Sequence, residues 1–214
     1  VDLDPQANAT DNYRAKIDGV GPAYDLLVHG DTDCIQTTEL GDIIAGDPQL
    51  KDAGKLLDGV SGAYKLKKGL AQIRGYDYAI LDTPPTLSVL LTNALTAADK
   101  VIIPLTSDRF GLQGLMLLRD TINDIKEFTN PSLEVGGFLL VKYRSTTTLA
   151  KAVDESLPKY AELYGSKIYK TKIRESIEAR KAQAAQLGLF EAAPNCTTAR
   201  DYNDFIEELF EEEK

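Results

Sequence analysis

Histidine and cysteine are nearly missing from this sequence: one histidine, His29, and two cysteines, Cys34 and Cys196, in 214 residues. Two isolated cysteines exclude a disulfide framework and a Cys/His zinc site, whose ligands come in closely spaced pairs. What remains is a pair of reduced thiols and a surface or loop histidine. No apolar run approaches the roughly 18 residues that suggest a membrane helix. The opening residues have neither the basic start nor the apolar stretch of a signal peptide. A Gly-rich loop closing on Lys and then Ser or Thr is absent too. The nearest approach, Gly54-Lys55, runs on into Leu56 and lacks the preceding glycine spacing. Positive charge is the minority sign, with 24 Lys and Arg against 33 Asp and Glu and a net charge of −9. That excludes a protein coated in positive charge but leaves room for a local basic patch.

What is present reads as one globular domain spanning residues 1–214. Hydrophobic residues make up 43% and charged residues 27%, an ordinary globular balance. Strand and helix signals alternate, which points to an α/β fold with a mainly parallel sheet and helices on both faces. Strands are expected within 41–46 and over 76–81, 100–105, 135–141 and 167–173. Helical spacing covers 50–73, with Lys-rich exposed positions, as well as 87–98 and 149–164. Leu115, Leu118, Ile122 and Ile125 share one helical face. A last helix carries Tyr202, Phe205, Ile206, Leu209 and Phe210, an apolar stripe expected to dock on the body. Its Glu211-Glu212-Glu213 end opposes the helix dipole and should fray.

Two acidic segments carry the chemistry. Asp2-Leu3-Asp4-Pro5-Gln6-Ala7-Asn8-Ala9-Thr10 opens the chain, and Tyr78-Ala79-Ile80-Leu81-Asp82-Thr83-Pro84-Pro85 lies further on. In each, carboxylates sit where a buried strand meets a loop. Open α/β sheets bind ligands at the carboxyl ends of their strands. Carboxylates there can hold Mg²⁺, directly or through water, or orient an attacking water. Taken one at a time, Asp2, Asp4 and Asp82 read equally well as strand-end residues capping the next turn.

Together with their surroundings the two segments resemble the ParA and Soj partition ATPases, a deviant Walker branch of the P-loop NTPases (SIMIBI type). The resemblance rests on Asp-Leu-Asp-Pro-Gln-x-Asn-Ala-Thr, on Leu-Asp-Thr-Pro-Pro-Thr-Leu and on Leu91-Thr92-Asn93-Ala94-Leu95-Thr96-Ala97-Ala98-Asp99. Val101-Ile102-Ile103-Pro104-Leu105 and Phe110-x-x-x-Gly114-Leu115 continue it, and it runs more loosely to the C-terminal helix. It implies ATP and Mg²⁺ as cofactors and hydrolysis to ADP and phosphate. Asp4 would orient the water that attacks the γ-phosphate. Asp82 would hold Mg²⁺ through a bridging water, with Asp2 supporting the metal shell. Thr83, Pro84 and Pro85 would form a switch loop. Lys142, Ile173 and Arg174 match positions that contact the nucleotide base. The departure is the missing phosphate cradle with its Lys. It implies a fold lacking its first βα unit, a fragment rather than an inactive remnant, and little turnover by these residues alone.

A basic cluster, Lys167, Lys170, Lys172, Arg174, Arg180 and Lys181, is interrupted by Glu175 and Glu178. It reads either as a solvated helix face or as phosphate contacts to duplex DNA. The resemblance favours DNA without sequence preference, held through Lys170, Lys172, Arg174, Arg180 and Lys181. It further implies an ATP-driven homodimer, a ParB-like partner that triggers hydrolysis, and a cytoplasmic, nucleoid-associated protein with no membrane contact. A MinD-like membrane-cycling ATPase would need a basic amphipathic C-terminal helix, and here that helix is acidic. A nitrogenase-iron-protein relative would need cysteines near Asp82. A non-catalytic binding protein derived from the same family is the other reading.

Overall fold

The computed structural model describes residues 1–16, 22–57, 59–106 and 114–211. Phe110 and the Glu212-Glu213 end of the acidic tail fall outside them. The chain divides into two compact units, Val1–Asp99 with Thr121–Leu133, and Lys100–Asp120 with Glu134–Lys214.

The first unit is built from short elements. Helices α1 (Asn8–Asn12) and α2 (Ala23–Val28) precede an antiparallel hairpin of β1 (Ile35–Thr38) and β2 (Gly41–Ile44). A 3-10 turn (Pro48–Asp52) then leads into α3 (Ala53–Leu56), α4 (Gly59–Ala63), α5 (Lys65–Leu70) and α6 (Val89–Ala97). The single helical region expected over 50–73 is therefore broken, and glycines at 54, 59, 62 and 69 explain why no long helix holds there. Lys55 bonds Asp52 at 2.7 Å within this run, so Gly54-Lys55 is ordinary helix. Leu26, Leu27, Leu50, Leu57 and Leu66 close the core together with Leu3. Asn130 is 2% exposed and donates to the carbonyls of Leu95 and Ala98. It satisfies acceptors that the end of α6 would otherwise leave orphaned.

Val1–Leu3 runs between β2 and Asp82. Asp2 N–H donates to Ile44 O at 3.0 Å, Leu3 N–H to Asp82 O at 2.8 Å and Asp82 N–H to Val1 O at 2.9 Å. Asp2 and Asp82 are bridged in parallel. The Val1 ammonium also donates to Ile80 O at 2.8 Å, but the strand expected over 76–81 does not continue back from there. Among the described residues no ladder runs along 76–79, and Tyr76, Tyr78 and Ile80 are exposed, Ile80 by 83%.

Helix α7 (Leu115–Phe128) follows, with Leu115, Ile122 and Ile125 buried as their spacing predicts. The second unit holds the parallel pair of β3 (Lys100–Thr106) and β4 (Glu134–Val141). Its register slips between Val101 and Ile102, which face Val135 and Gly137, so Gly136 is the extra residue of a bulge. A Cβ on Gly137, whose φ is +152°, would meet the Tyr169 ring at 2.7 Å. That close approach lets Tyr169 cover the sheet. The segment 167–173 runs parallel to β4 as expected but pairs only in patches, through Phe138 with Ile168 and Tyr143 with Arg174.

Helix α8 (Thr148–Leu163) is N-capped by Thr147, whose hydroxyl accepts from Ala150 N–H. Helices α9 (Ile177–Ala184), α10 (Leu189–Ala192) and α11 (Thr197–Glu211) complete the unit. The α11 stripe docks by half. Phe205 meets Tyr169 edge to face at 4.9 Å and joins a core with Leu139 and Ile173. Tyr202 and Ile206, a turn apart on another face, remain exposed. No helix among the described residues is long and apolar enough to cross a membrane.

Candidate nucleotide and metal site

Asp2, Asp4 and Asp82 come together in the first unit, at the ends of the Val1–Leu3 segment and its neighbour. Asp2 is fully buried. Its carboxylate accepts from Asp4 N–H at 3.0 Å, Thr10 N–H at 2.9 Å and the Thr10 hydroxyl at 2.8 Å. The Thr10 hydroxyl accepts in turn from Gly46 N–H at 2.8 Å. A Cβ at Gly46 would sit 2.8 Å from the Asp2 carboxyl carbon, so this network requires glycine there. Asp2 thus ties the 4–10 loop to β2. Its acceptors are occupied by protein donors, which suits an organiser of the loop better than a metal ligand. Thr10 and Gly46 are the partners that sequence reading misses. Only their place beside buried Asp2 reveals them.

Asp4 is half-buried at the turn into α1. One carboxylate oxygen accepts from Gln6 N–H at 2.9 Å, and its backbone carbonyl accepts from Ala7 N–H at 2.8 Å. Ala7 takes a left-handed φ of +54° and is buried. Asp82 is exposed as a residue, yet its carboxyl is partly desolvated. That desolvation, followed by repulsion from Asp2 and then Asp4, lifts its pKa above the usual carboxylate range, against the Val1 ammonium and a bond from Thr83 N–H. Asp2 and Asp4 add more negative charge at this strand end than the Val1 ammonium offsets. A divalent cation would relieve it, and Mg²⁺ habitually takes one or two carboxylates and keeps its waters. Asp82 fits that ion as an acceptor for one of its waters, with the negative charge of Asp2 and Asp4 beside it. Thr83 is half-buried, Pro84 buried and Pro85 exposed.

Lys142, Ile173 and Arg174 all lie in the second unit, at the end of β4 and of the segment beside it. Lys142 has a left-handed φ of +49°, and Ile173 is buried. Arg174 grips Asp201 on α11 with Nη2 at 2.6 Å and Nε at 2.9 Å, and its backbone N–H donates to the same carboxylate at 2.8 Å. Desolvation works against ionisation of Asp201, but the Arg174 hydrogen bonds and charge outweigh it and hold the carboxyl below its usual range. Lys172 reaches Asp154 on α8 at 2.7 Å and stacks over the Tyr143 ring at 4.3 Å. The basic cluster is therefore not uniform. Lys172 and Arg174 brace the fold, while the side chains of Lys170, Arg180 and Lys181 are exposed with no ion pair among the described residues.

The remaining singled-out residues are quiet. Cys34 is buried, and burial, then Asp31, pushes its thiol up to about 11, leaving it protonated and inert. His29 is exposed, with Asp25 at 3.9 Å.

Acidic groups converging at strand ends, a parallel β pair and flanking helices define an α/β fold of the P-loop NTPase class. Similarity to known proteins agrees. A family model described as an AAA domain matches residues 1–135. The sporulation initiation inhibitor protein Soj of Bacillus subtilis is 34% identical over 98% of this chain and 84% of that protein. The chromosome-partitioning ATPase Soj of Treponema pallidum is 31% identical over 98% of the chain and 83% of its own length. The chain belongs to the ParA/Soj family of partition ATPases. Among solved structures, cobyrinic acid a,c-diamide synthase of Mycobacterium smegmatis with bound ADP and magnesium superposes with a TM-score of 0.73. It is 30% identical and covers 86% of this chain and 76% of that one. The McdA–ATP complex of Cyanothece, at 19% identity, shares the fold with a TM-score of 0.82, covering 97% of this chain and 83% of its own.

Proposed function

We propose that these residues supply the acidic half of an ATP- and Mg²⁺-dependent DNA partition switch. The observation that carries the reading is the convergence of Asp4 and Asp82 on the organiser Asp2, through the Asp4 amide and the Asp2–Asp82 bridge. Bound Mg²⁺ would neutralise charge on the β- and γ-phosphate oxygens. Asp82 would accept from one of the metal's waters. Asp4, fixed by the Gln6 amide on one oxygen, would hold the attacking water with the other. Asp2 would position both through the loop it ties down. Thr83, Pro84 and Pro85 lie next to Asp82 in the chain and would move with the state of the phosphate. Lys142 and Ile173 would frame the base, and Arg174 would set that loop through its grip on Asp201.

The finer reading includes an ATP-joined homodimer, a ParB-like partner that stimulates hydrolysis, and residence on the nucleoid in the cytoplasm. Duplex DNA would be held without sequence preference. Lys170, Arg180 and Lys181 are the cations free to reach phosphates, with Lys172 and Arg174 shaping the surface behind them. These 214 residues hold no Gly-rich Lys loop, and turnover by them alone is expected to be minimal. The acidic site is tested in a polypeptide that joins a P-loop unit ahead of Val1. Asp82→Asn should lower ATP turnover by about 100-fold or more, as loss of a group acting on developing charge does. It should also raise the Mg²⁺ concentration needed for half-maximal rate. Unchanged turnover and metal dependence would remove Asp82 from the site.

A further inference from the structure

Glu208 of α11 makes an unusual contact. Its two carboxylate oxygens accept from consecutive backbone amides, Oε1 from Lys170 N–H at 2.7 Å and Oε2 from Thr171 N–H at 2.9 Å. Neither amide is used by β4. The hydrogen bonds to that strand fall on either side, from Tyr169 N–H to Phe138 O and from Ile173 N–H to Leu140 O. The patchy pairing of 167–173 thus leaves two adjacent donors aimed away from the sheet, a bracket fitted to two oxygens of one anion. Desolvation opposes ionisation of Glu208, but the Lys170 and Thr171 amides, the Thr171 hydroxyl and the charge of Lys167 together hold its carboxyl below the usual range. The carboxylate sits half-buried, with the ammonium of Lys167 near enough to act on it.

We propose that the Lys170–Thr171 amide bracket is a phosphate-binding site, occupied within the same chain by Glu208 as a carboxylate surrogate. Two amides, a hydroxyl and a nearby ammonium are the donor set of a phosphate site, and DNA phosphates are commonly held by backbone N–H groups beside Lys or Arg. The site would take a phosphate oxyanion, whether a DNA phosphodiester or free inorganic phosphate. A phosphate carrying more charge and more acceptor oxygens than Glu208 would compete for the bracket and free this end of α11. The DNA source rests on the function proposed above. The bracket itself does not.

The test compares Glu208→Ala with Glu207→Ala. Both remove one carboxylate from neighbouring positions of α11, but Glu207 is exposed and touches no part of the bracket. Inorganic phosphate is titrated against each ¹⁵N-labelled 214-residue protein at constant ionic strength. The Lys170 and Thr171 amide resonances should shift saturably in Glu208→Ala, and only at higher phosphate concentration in Glu207→Ala and the parent, where Glu208 competes. In the second arm, with both substitutions made in a polypeptide that carries a P-loop unit and is loaded with ATP, a short duplex should bind Glu208→Ala about tenfold tighter than Glu207→Ala, the scale of one charge-assisted contact. The log–log salt slope should steepen by about one unit. Phosphate shifts without a DNA gain would keep the bracket and remove DNA as its ligand. A DNA gain equal in both variants, with no phosphate shift, would reduce Glu208 to one unit of repulsion and overturn the proposal. If Glu208→Ala does not fold, Glu208→Gln replaces it under the same criteria. Loss of the folded state in both makes Glu208 a structural brace and also overturns it.

Discussion

Asp47 shows how a single buried carboxylate shapes the acid behaviour of the first unit. It is 1% exposed and caps the 3-10 turn, accepting from Gln49 N–H at 2.7 Å. Its other oxygen has no hydrogen-bond partner among the described residues. Burial raises its pKa above the ordinary carboxylate value of 3.8. The sign follows directly. A carboxyl raised on folding favours the folded state while protonated, so its contribution is full below 3.8 and is lost as pH rises through the folded value. Asp47→Asn keeps the capping oxygen and removes the charge. The variant should match the parent's thermal midpoint near pH 3 and exceed it at pH 7. A lower midpoint than the parent at pH 7 would mean that the charge itself holds the turn. Asp201 and Glu208 run the other way. Both are depressed, and their support for α11 is present at neutral pH and lost as pH falls through their folded values.

Among the elements, α11 is only half legible in the sequence. Its helical spacing defines the helix, but five apolar residues at that spacing cannot say which face docks. The structure seats Phe205 on Tyr169 and leaves Ile206 41% exposed. Phe205→Ala should therefore cost about 3–5 kcal/mol, the range for emptying a buried aromatic site. Ile206→Ala should cost less than about 1 kcal/mol, as surface changes do. Urea unfolding of the two variants checks this, and equal losses would contradict the half-docked helix. Helices α7 and α8 and strands β3 and β4 are legible because burial imposes a clear period or a continuous apolar run. Of the β1–β2 hairpin only β2 is legible, inside the strand expected within 41–46. Ile35-Gln36-Thr37-Thr38 is half-polar, and the chain turns through Glu39-Leu40 without the Asn-Gly type of signal. Tyr76–Leu81 looks like a buried strand because its composition is that of one. Only the ladder, which among the described residues reaches back no further than Ile80, decides the matter. The acidic site is legible in Asp2, Asp4 and Asp82. Asp2's role is not, because a carboxylate consumed by Thr10 and Asp4 amides reads like any strand-end Asp until its partners are placed.

For the molecule as a whole, a net charge of −9 makes any contact with DNA a local matter. Lys172 and Arg174 are held by Asp154 and Asp201, so binding through this cluster would fall to Lys170, Arg180 and Lys181. In a polypeptide carrying a P-loop unit and loaded with ATP, Arg180→Glu with Lys181→Glu should abolish duplex binding while leaving ATP turnover largely intact. Removing a cation that pairs with a DNA phosphate should flatten the log–log salt dependence by about one unit. Unchanged affinity and slope would make this cluster a solvated face and move the search to Lys65, Lys67 and Lys68. The central claim, that the acidic cluster is the chemical centre of a partition ATPase, is tested most directly by Asp4→Ala in that same polypeptide. ATP turnover should be lost while ATP is still bound with near-parent affinity, because Asp4 acts on the attacking water and not on the nucleotide. Turnover at the parent rate, or loss of ATP binding, would contradict the account.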